Sequence, residues 1–321
     1  MSQATADTVT ARWESEATTL AEVLAQADTM RIEAERTGIR AAVVNLVVVC
    51  GRSLSPDTRS VLARLGAYHP GRIVIVNLGP DGPDGLGAAV ELHCAANGER
   101  CLWWEIIELS PRGMVAEHVD SVVEPLLIHD MHVVVWYRHL LPAVAEVLNS
   151  AELVVVDGAD PELDPTATAA SLSALIRFRP VADLAWIRTE PLRQALALLV
   201  QRAGEGLIAS ADLEASVEGP GWEAWLQAGW LAERLGAGHP ALRVSVAAGT
   251  ELEVHLAAGA GRAVASLATG AGAQASLNGT SVRVAGATDT LALVGTVLSR
   301  AGRDLRYEAA VHAAARLQAP S

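Results

Sequence analysis

Residues Ala41 to Cys50 form an apolar run of ten, broken only by Asn45. A membrane-spanning helix needs about 20 such residues, and this run is rich in valine, whose branched Cβ favours extended backbone. It reads as a strand buried on both faces. The residues that follow set its context. Ser55-Pro56-Asp57 supplies a capping hydroxyl, a first-turn proline and a first-turn acid, which together mark a helix start. Val61, Leu62 and Leu65 share one side of that helix, Gly66 is expected to close it, and Arg72–Leu78 is a second β-branched strand. A strand, a helix and a strand joined by short loops favour a parallel pair.

The alternation continues to residue 180. Gly79 to Gly85 is a turn-rich loop, and Ala88–Cys94 and Cys101–Leu109 read as strands of a hairpin turned at Asn97-Gly98. Helix Val115–Ile128, strand His132–Trp136, helix Pro142–Leu148, strand Glu152–Asp157 and a helix near Thr166–Phe178 follow. The expected fold of this half is α/β: a mixed, mostly parallel sheet with helices on both faces. Ahead of it, residues 1 to 11 read as a tail and Arg12–Arg36 as an amphipathic helix. Beyond it, helical spacing returns from Thr189 and again over Trp222, Trp225, Leu226, Gly229 and Trp230. Short alternating pieces between Leu242 and Ala285, separated by glycine-rich turns, predict an antiparallel meander, and two helices finish the chain. The expected organisation is a tail and helix over 1–40, an α/β domain over 41–180 and a smaller α+β domain over 181–321.

Composition excludes whole classes of chemistry. The 24 basic residues are all arginine, so no Schiff base, pyridoxal phosphate site or phosphate-loop lysine is possible. A net charge of −13, with no block of arginines, argues against nucleic acid as a partner. The polar N-terminus and the lack of a long apolar run predict a cytoplasmic protein with no membrane contact. Cys50, Cys94 and Cys101 show no CxxC spacing. A reducing compartment predicts free thiols, although Cys94 and Cys101 lie across the hairpin and an oxidised pair is geometrically conceivable.

The chain carries no G-x-S-x-G, H-E-x-x-H, G-x-G-x-x-G or phosphate-loop motif. His129, His132 and His139 with Asp130 flank one strand, but at opposite ends, so a metal site is not expected. His69 and Arg72, at a tight turn into a strand, could hold a phosphate or carboxylate. Trp103 and Trp104 are adjacent on a strand and must face opposite ways; an outward one would mark an interface. Asp183, Trp186, Arg188 and Arg193 place a carboxylate, an indole and two cations within eleven residues.

The order of these pieces resembles the OpcA family of glucose-6-phosphate dehydrogenase assembly proteins. The likeness is carried by Asn45–Val49, His69-Pro70-Gly71-Arg72, Trp104-Glu105-Ile106, Ser121–Leu127, Asp130, Val134-Val135-Trp136 and Asp157. Asp183–Arg188, Arg193, Gly229-Trp230-Leu231 and Tyr307–Ala310 complete it. Some positions depart from the family pattern. His129 and His132 stand where the family has prolines, Tyr137 follows Trp136 where it has a second tryptophan, and Leu192 replaces a tryptophan. The resemblance implies a non-catalytic, cofactor-free protein that binds glucose-6-phosphate dehydrogenase and promotes its active oligomer. Candidate partner-surface or domain-junction residues are then His69, Arg72, Trp104, Glu105, Asp130 and Trp136 in the first half. Asp157, at the end of a first-half strand, is another, and in the second half they are Asp183, Trp186, Arg188 and Arg193. The alternative is a sugar-phosphate site, in a sensor or an enzyme, at His69 and Arg72.

Overall fold

The computed structural model describes residues 8–36, 38–40, 42–51, 54–79, 83–97, 100–203, 205–236, 243–259, 261–268, 272–286, 289–300 and 302–318. Residues 1–7 of the expected tail, 80–82 of the turn-rich loop and Gly98 of the hairpin turn lie outside that set. The chain forms two compact units. One comprises Met1–Val155 with Val297–Ala301, the other Val156–Thr296 with Gly302–Ser321.

The first unit is built on strands β1 (Thr8–Ser15), β2 (Gly38–Arg40), β3 (Val44–Cys50), β4 (Gly71–Asn77), β5 (Gly85–Asn97), β6 (Arg100–Arg112), β7 (Val133–Arg138) and β8 (Leu153–Val156). Their order across the sheet is β1-β5-β6-β4-β3-β7-β8, with β2 beside β6. Every pairing from β6 through β8 is parallel, whereas β1–β5 and β5–β6 are antiparallel. β3 and β4 are buried at every position, as expected of central parallel strands covered on both faces. The long β6 carries β2 and β4 in succession along one edge, through Cys101–Trp103 and then Glu105–Leu109.

Helices α1 (Leu20–Ala34), α2 (Pro56–Tyr68), α3 (Met114–Glu117) and α4 (Val119–Val123) belong to this unit. α1 starts later than its periodicity predicts. Thr19 and Glu22 form a capping box, and the alternating Val9, Ala11 and Trp13 ahead of it form β1 against β5. Gly66 does not close α2, which runs on to Tyr68 and stops before Pro70. A Cβ on Gly66 would lie 2.2 Å from Trp104 Cδ1, so the glycine makes room for the indole. The predicted helix at Pro142–Leu148 is one 3₁₀ turn, Val144–Glu146, held by Tyr137, whose hydroxyl accepts from Leu148 N at 2.9 Å. Cys94 and Cys101 are joined as a disulfide across the β5–β6 hairpin, in place of the expected free thiols. Their Cα atoms are 5.8 Å apart, within the usual span for such a bridge.

The second unit carries α5 (Pro165–Ile176), β9 (Val181–Asp183), α6 (Leu184–Arg188), α7 (Glu190–Ala203) and α8 (Glu205–Ile208). It continues with β10 (Glu214–Gly219), α9 (Gly221–Gly236), β11 (Arg243–Ala248), β12 (Leu252–Ala258), β13 (Gly261–Ala268), β14 (Gly272–Leu277) and β15 (Thr280–Val284). The helices α10 (Thr290–Arg300) and α11 (Leu305–Gln318) end the chain. The sheet order is β11-β10-β12-β13-β14-β15. β12 to β15 form the expected antiparallel meander, but β10 was hidden in the sequence and pairs in parallel with β11. Leu192, Leu196 and Leu199 of α7 and Ala224, Ala228 and Leu231 of α9 close the core over one face of this sheet. No helix among the described residues is long and apolar enough to cross a membrane.

Candidate functional site

In the first unit the nominated polar residues turn inward. Arg72, at the start of β4, is 5% exposed. Its Nε donates to Glu105 Oε2 at 2.7 Å and its Nη1 to the Leu126 carbonyl. Glu105 is equally buried and also receives Arg31 Nε at 2.9 Å, so one carboxylate lies between two guanidiniums. Arg72 sits at the amino end of its strand, whereas ligands of open parallel sheets bind outside the carboxyl ends. Its guanidinium is engaged within the fold. His69 caps α2, half-buried, and burial lowers its pKa.

The tryptophans also lie inside. Trp103 and Trp104 face opposite sides of β6, yet both are buried, so both sides of the sheet are covered there. Trp104 stacks on His93 with ring centroids 5.6 Å apart. Trp136 is buried on β7, with the Arg138 guanidinium 5.5 Å from its ring centroid. Asp130 alone of this group is open to water, in a left-handed turn with φ of 62°. Asn45 holds the neighbouring loop: its Nδ2 donates to Ile128 O at 2.9 Å and its Oδ1 accepts from Ile128 N at 2.9 Å. His129 is exposed, His132 pairs with Glu152 at 2.6 Å, and His139 lies past the far end of β7. The three imidazoles do not converge.

The structure does bring the second set together, in the second unit. Asp183 N-caps α6 and is 1% exposed. It accepts from Gly158 N at 2.9 Å, Ala185 N at 2.9 Å, Trp222 Nε1 at 2.8 Å and the Tyr307 hydroxyl at 3.4 Å. Burial, reinforced by the charge of Asp157, pushes its carboxyl up to about 6 against these donors. Arg188 bridges Asp157 at 2.5 Å and Glu223 at 2.8 Å. Burial works against that cation, but the two carboxylates outweigh it and hold its pKa above the ordinary value. Burial also raises the Glu223 carboxyl.

Arg193 lies face-on to Trp186, its Cζ 3.3 Å from the ring centroid, and donates to Thr189 Oγ1 at 2.8 Å and Trp186 O at 2.6 Å. Burial brings it down to about 9, which leaves it a cation at neutral pH. Trp186 Nε1 in turn donates to Asp304 at 2.9 Å. The sequence named Asp183, Trp186, Arg188 and Arg193 but not Thr189, Glu223, Gln227 or Asp304. Thr189 meets Arg193 one turn on, whereas Glu223, Asp304 and Gln227, whose Nε2 donates to Thr189 Oγ1 at 2.9 Å, carry no local signal because these partners lie 35 to 118 residues away. The arrangement is a closed polar lattice that fixes α6, α7, α9 and the start of α11 in one geometry.

No curated protein matches the chain. Among solved structures, a dehydrogenase from Chromobacterium violaceum is 10% identical, with a TM-score of 0.41, over 86% of this chain and 93% of its own. OtsA in its apo form is 14% identical at a TM-score of 0.23, over 64% of this chain and 65% of its own. A trehalose-6-phosphate structure from E. coli bound with UDP-2-fluoro glucose is 12% identical at 0.21, with the same coverage of 64% and 65%. None of these likenesses is close enough to carry an argument. Family models are more decisive. The one described as "Glucose-6-phosphate dehydrogenase subunit N-terminal domain" matches residues 63–174, and its C-terminal counterpart matches residues 179–311. The first span holds His69, Arg72, Trp104, Glu105, Asp130, Trp136 and Asp157, and the second holds Asp183, Trp186, Arg188 and Arg193. With both models matched in order over most of its length, the chain belongs to the OpcA family of glucose-6-phosphate dehydrogenase assembly subunits.

Proposed function

We propose that this protein is a non-catalytic cytoplasmic factor that binds glucose-6-phosphate dehydrogenase, favours its active oligomer and raises its activity in the oxidative pentose phosphate pathway. The observation that carries the reading is the pair of family models, each described as a domain of a glucose-6-phosphate dehydrogenase subunit. The internal chemistry supports it. Arg72, Glu105, Asp183, Arg188 and Arg193 are each held by side chains or backbone of their own unit, as in a scaffold that presents a surface. Such a protein activates if it binds the competent state of the enzyme better than the incompetent one. A differential of ~1–3 kcal/mol gives an ~5–150-fold bias.

The test is an activity assay of the dehydrogenase from the same organism, with and without this protein, paired with size-exclusion chromatography of the mixture. Co-elution, a larger dehydrogenase oligomer and a higher rate are expected. Separate elution with an unchanged rate defeats the reading.

A further inference from the structure

Among the described residues of the second unit, three large apolar side chains stand open to water: Phe178, Leu198 and Leu305. Two of them belong to neighbouring segments. Phe178, the single phenylalanine of the chain, is 62% exposed just past the end of α5, and Leu305 is 72% exposed at the first position of α11. Arg303 Nη2 donates to the Ile176 carbonyl at 3.2 Å, which ties one segment to the other.

The same segments carry Arg177, Arg179, Arg303 and Arg306. Their acidic neighbours are engaged. Asp304 caps α11 through the amides of Arg306 and Tyr307 and accepts Trp186 Nε1, while Glu308 holds Arg303 at 2.7 and 3.0 Å. Counted along these two segments, four arginines and two acids sum to +2, on a chain whose net charge is −13. Arginines at the end of α5 also suit its dipole, but that does not account for an exposed phenylalanine and leucine beside them.

We infer that the Phe178–Leu305 patch with its arginines is a docking surface for a protein whose matching face is acidic around an apolar recess. The inference rests on the reading that this chain binds glucose-6-phosphate dehydrogenase, and it locates the contact. Aromatic residues and arginine are the residues enriched at interface cores and binding hot spots. A second copy of this chain does not fit, because a two-fold contact sets the positive patch against itself. Nucleic acid and anionic bilayers do not fit either. Both extend far beyond the patch and meet the acidic remainder of the molecule. A protein face covers only about 800 Å², and charges more than ~8 Å beyond it are screened.

The experiment measures the affinity of the full-length protein for the dehydrogenase of the same organism, at low and high salt. It compares wild type with Phe178→Ser/Leu305→Ser, with Arg177→Glu/Arg306→Glu, and with Leu198→Ser as a control. All these side chains are exposed, so thermal melting stays close to wild type and reports correct folding. Each double variant is expected to bind at least about tenfold more weakly, and the charge variant to lose most of the salt dependence. The control stays within about twofold of wild type. If wild type binds and both double variants bind as tightly, the inference is overturned while the dehydrogenase reading stands. If wild type does not bind, both fall. If the double variants change only self-association of this protein, the surface joins copies of the chain and the inference is wrong.

Discussion

Replacing Glu105 with alanine leaves the buried Arg72 guanidinium without its carboxylate and frees Arg31 from the same partner. Breaking a buried ion pair from one side costs about 3–5 kcal/mol. Glu105→Ala is therefore expected to lower the unfolding free energy by about that much, whereas Asp130→Ala, at an exposed turn, changes it by under about 1 kcal/mol. Urea denaturation compares them, and equal effects would contradict the buried triad. Asp183 makes a prediction of a different kind. Its folded pKa is raised from the ordinary 3.8 to about 6, so between those values the folded state binds more protons than the unfolded one. Its contribution is fully present below pH ~4 and is lost as pH rises through ~6, a change of about 3 kcal/mol. The stability difference between wild type and Asp183→Asn should therefore shrink by about 3 kcal/mol from pH ~4 to ~7. A difference that does not vary with pH refutes the assignment.

At the scale of elements, Gly229 on α9 sits against α11. A Cβ there would lie 2.2 Å from the Ala310 carbonyl oxygen and 2.7 Å from Ala314 N, backbone atoms that can yield only if a helix moves. Helix propensity alone predicts that Gly229→Ala gains about 1 kcal/mol. Overpacking outweighs that gain, so a net loss of about 1–2 kcal/mol is expected, and a more stable variant rules the close approach out. The same contrast explains what the sequence did and did not disclose. β3, β4 and the start of α2 were legible because their signals are local: unbroken branched apolar residues, and a serine, a proline and an acid in order. Gly66 looked like a helix end because nothing nearby shows that Trp104, 38 residues on, needs its space. β10 leaves no clear sequence signal because Glu214–Gly219 carries two alternating small apolar residues and little else. Its strand character comes from β11 and β12 on either side. The polar lattice was half legible. Arg188 and Asp183 stood out as charges in an apolar neighbourhood, but Glu223, 35 residues beyond Arg188, becomes a partner only once α9 has packed.

At the scale of the whole molecule, the proposed activity is a linkage between two equilibria, and linkage constrains it. If this protein favours the active oligomer of glucose-6-phosphate dehydrogenase, it does so only by binding that oligomer more tightly than the smaller species. The coupling is reciprocal: the factor by which it promotes assembly equals the factor by which assembly promotes its binding. Its apparent Kd should therefore fall as the dehydrogenase is concentrated through its own assembly midpoint, by ~5–150-fold for a coupling of ~1–3 kcal/mol. Sedimentation velocity supplies the oligomer distribution of the enzyme, and fluorescence titration with labelled protein supplies the Kd at each concentration. Affinity that stays flat through the assembly transition would mean that the protein cannot favour the oligomer, even if it binds and raises the rate. In that case activation acts within one assembly state, and the same titration should show the enzyme's oligomer distribution unmoved by saturating protein.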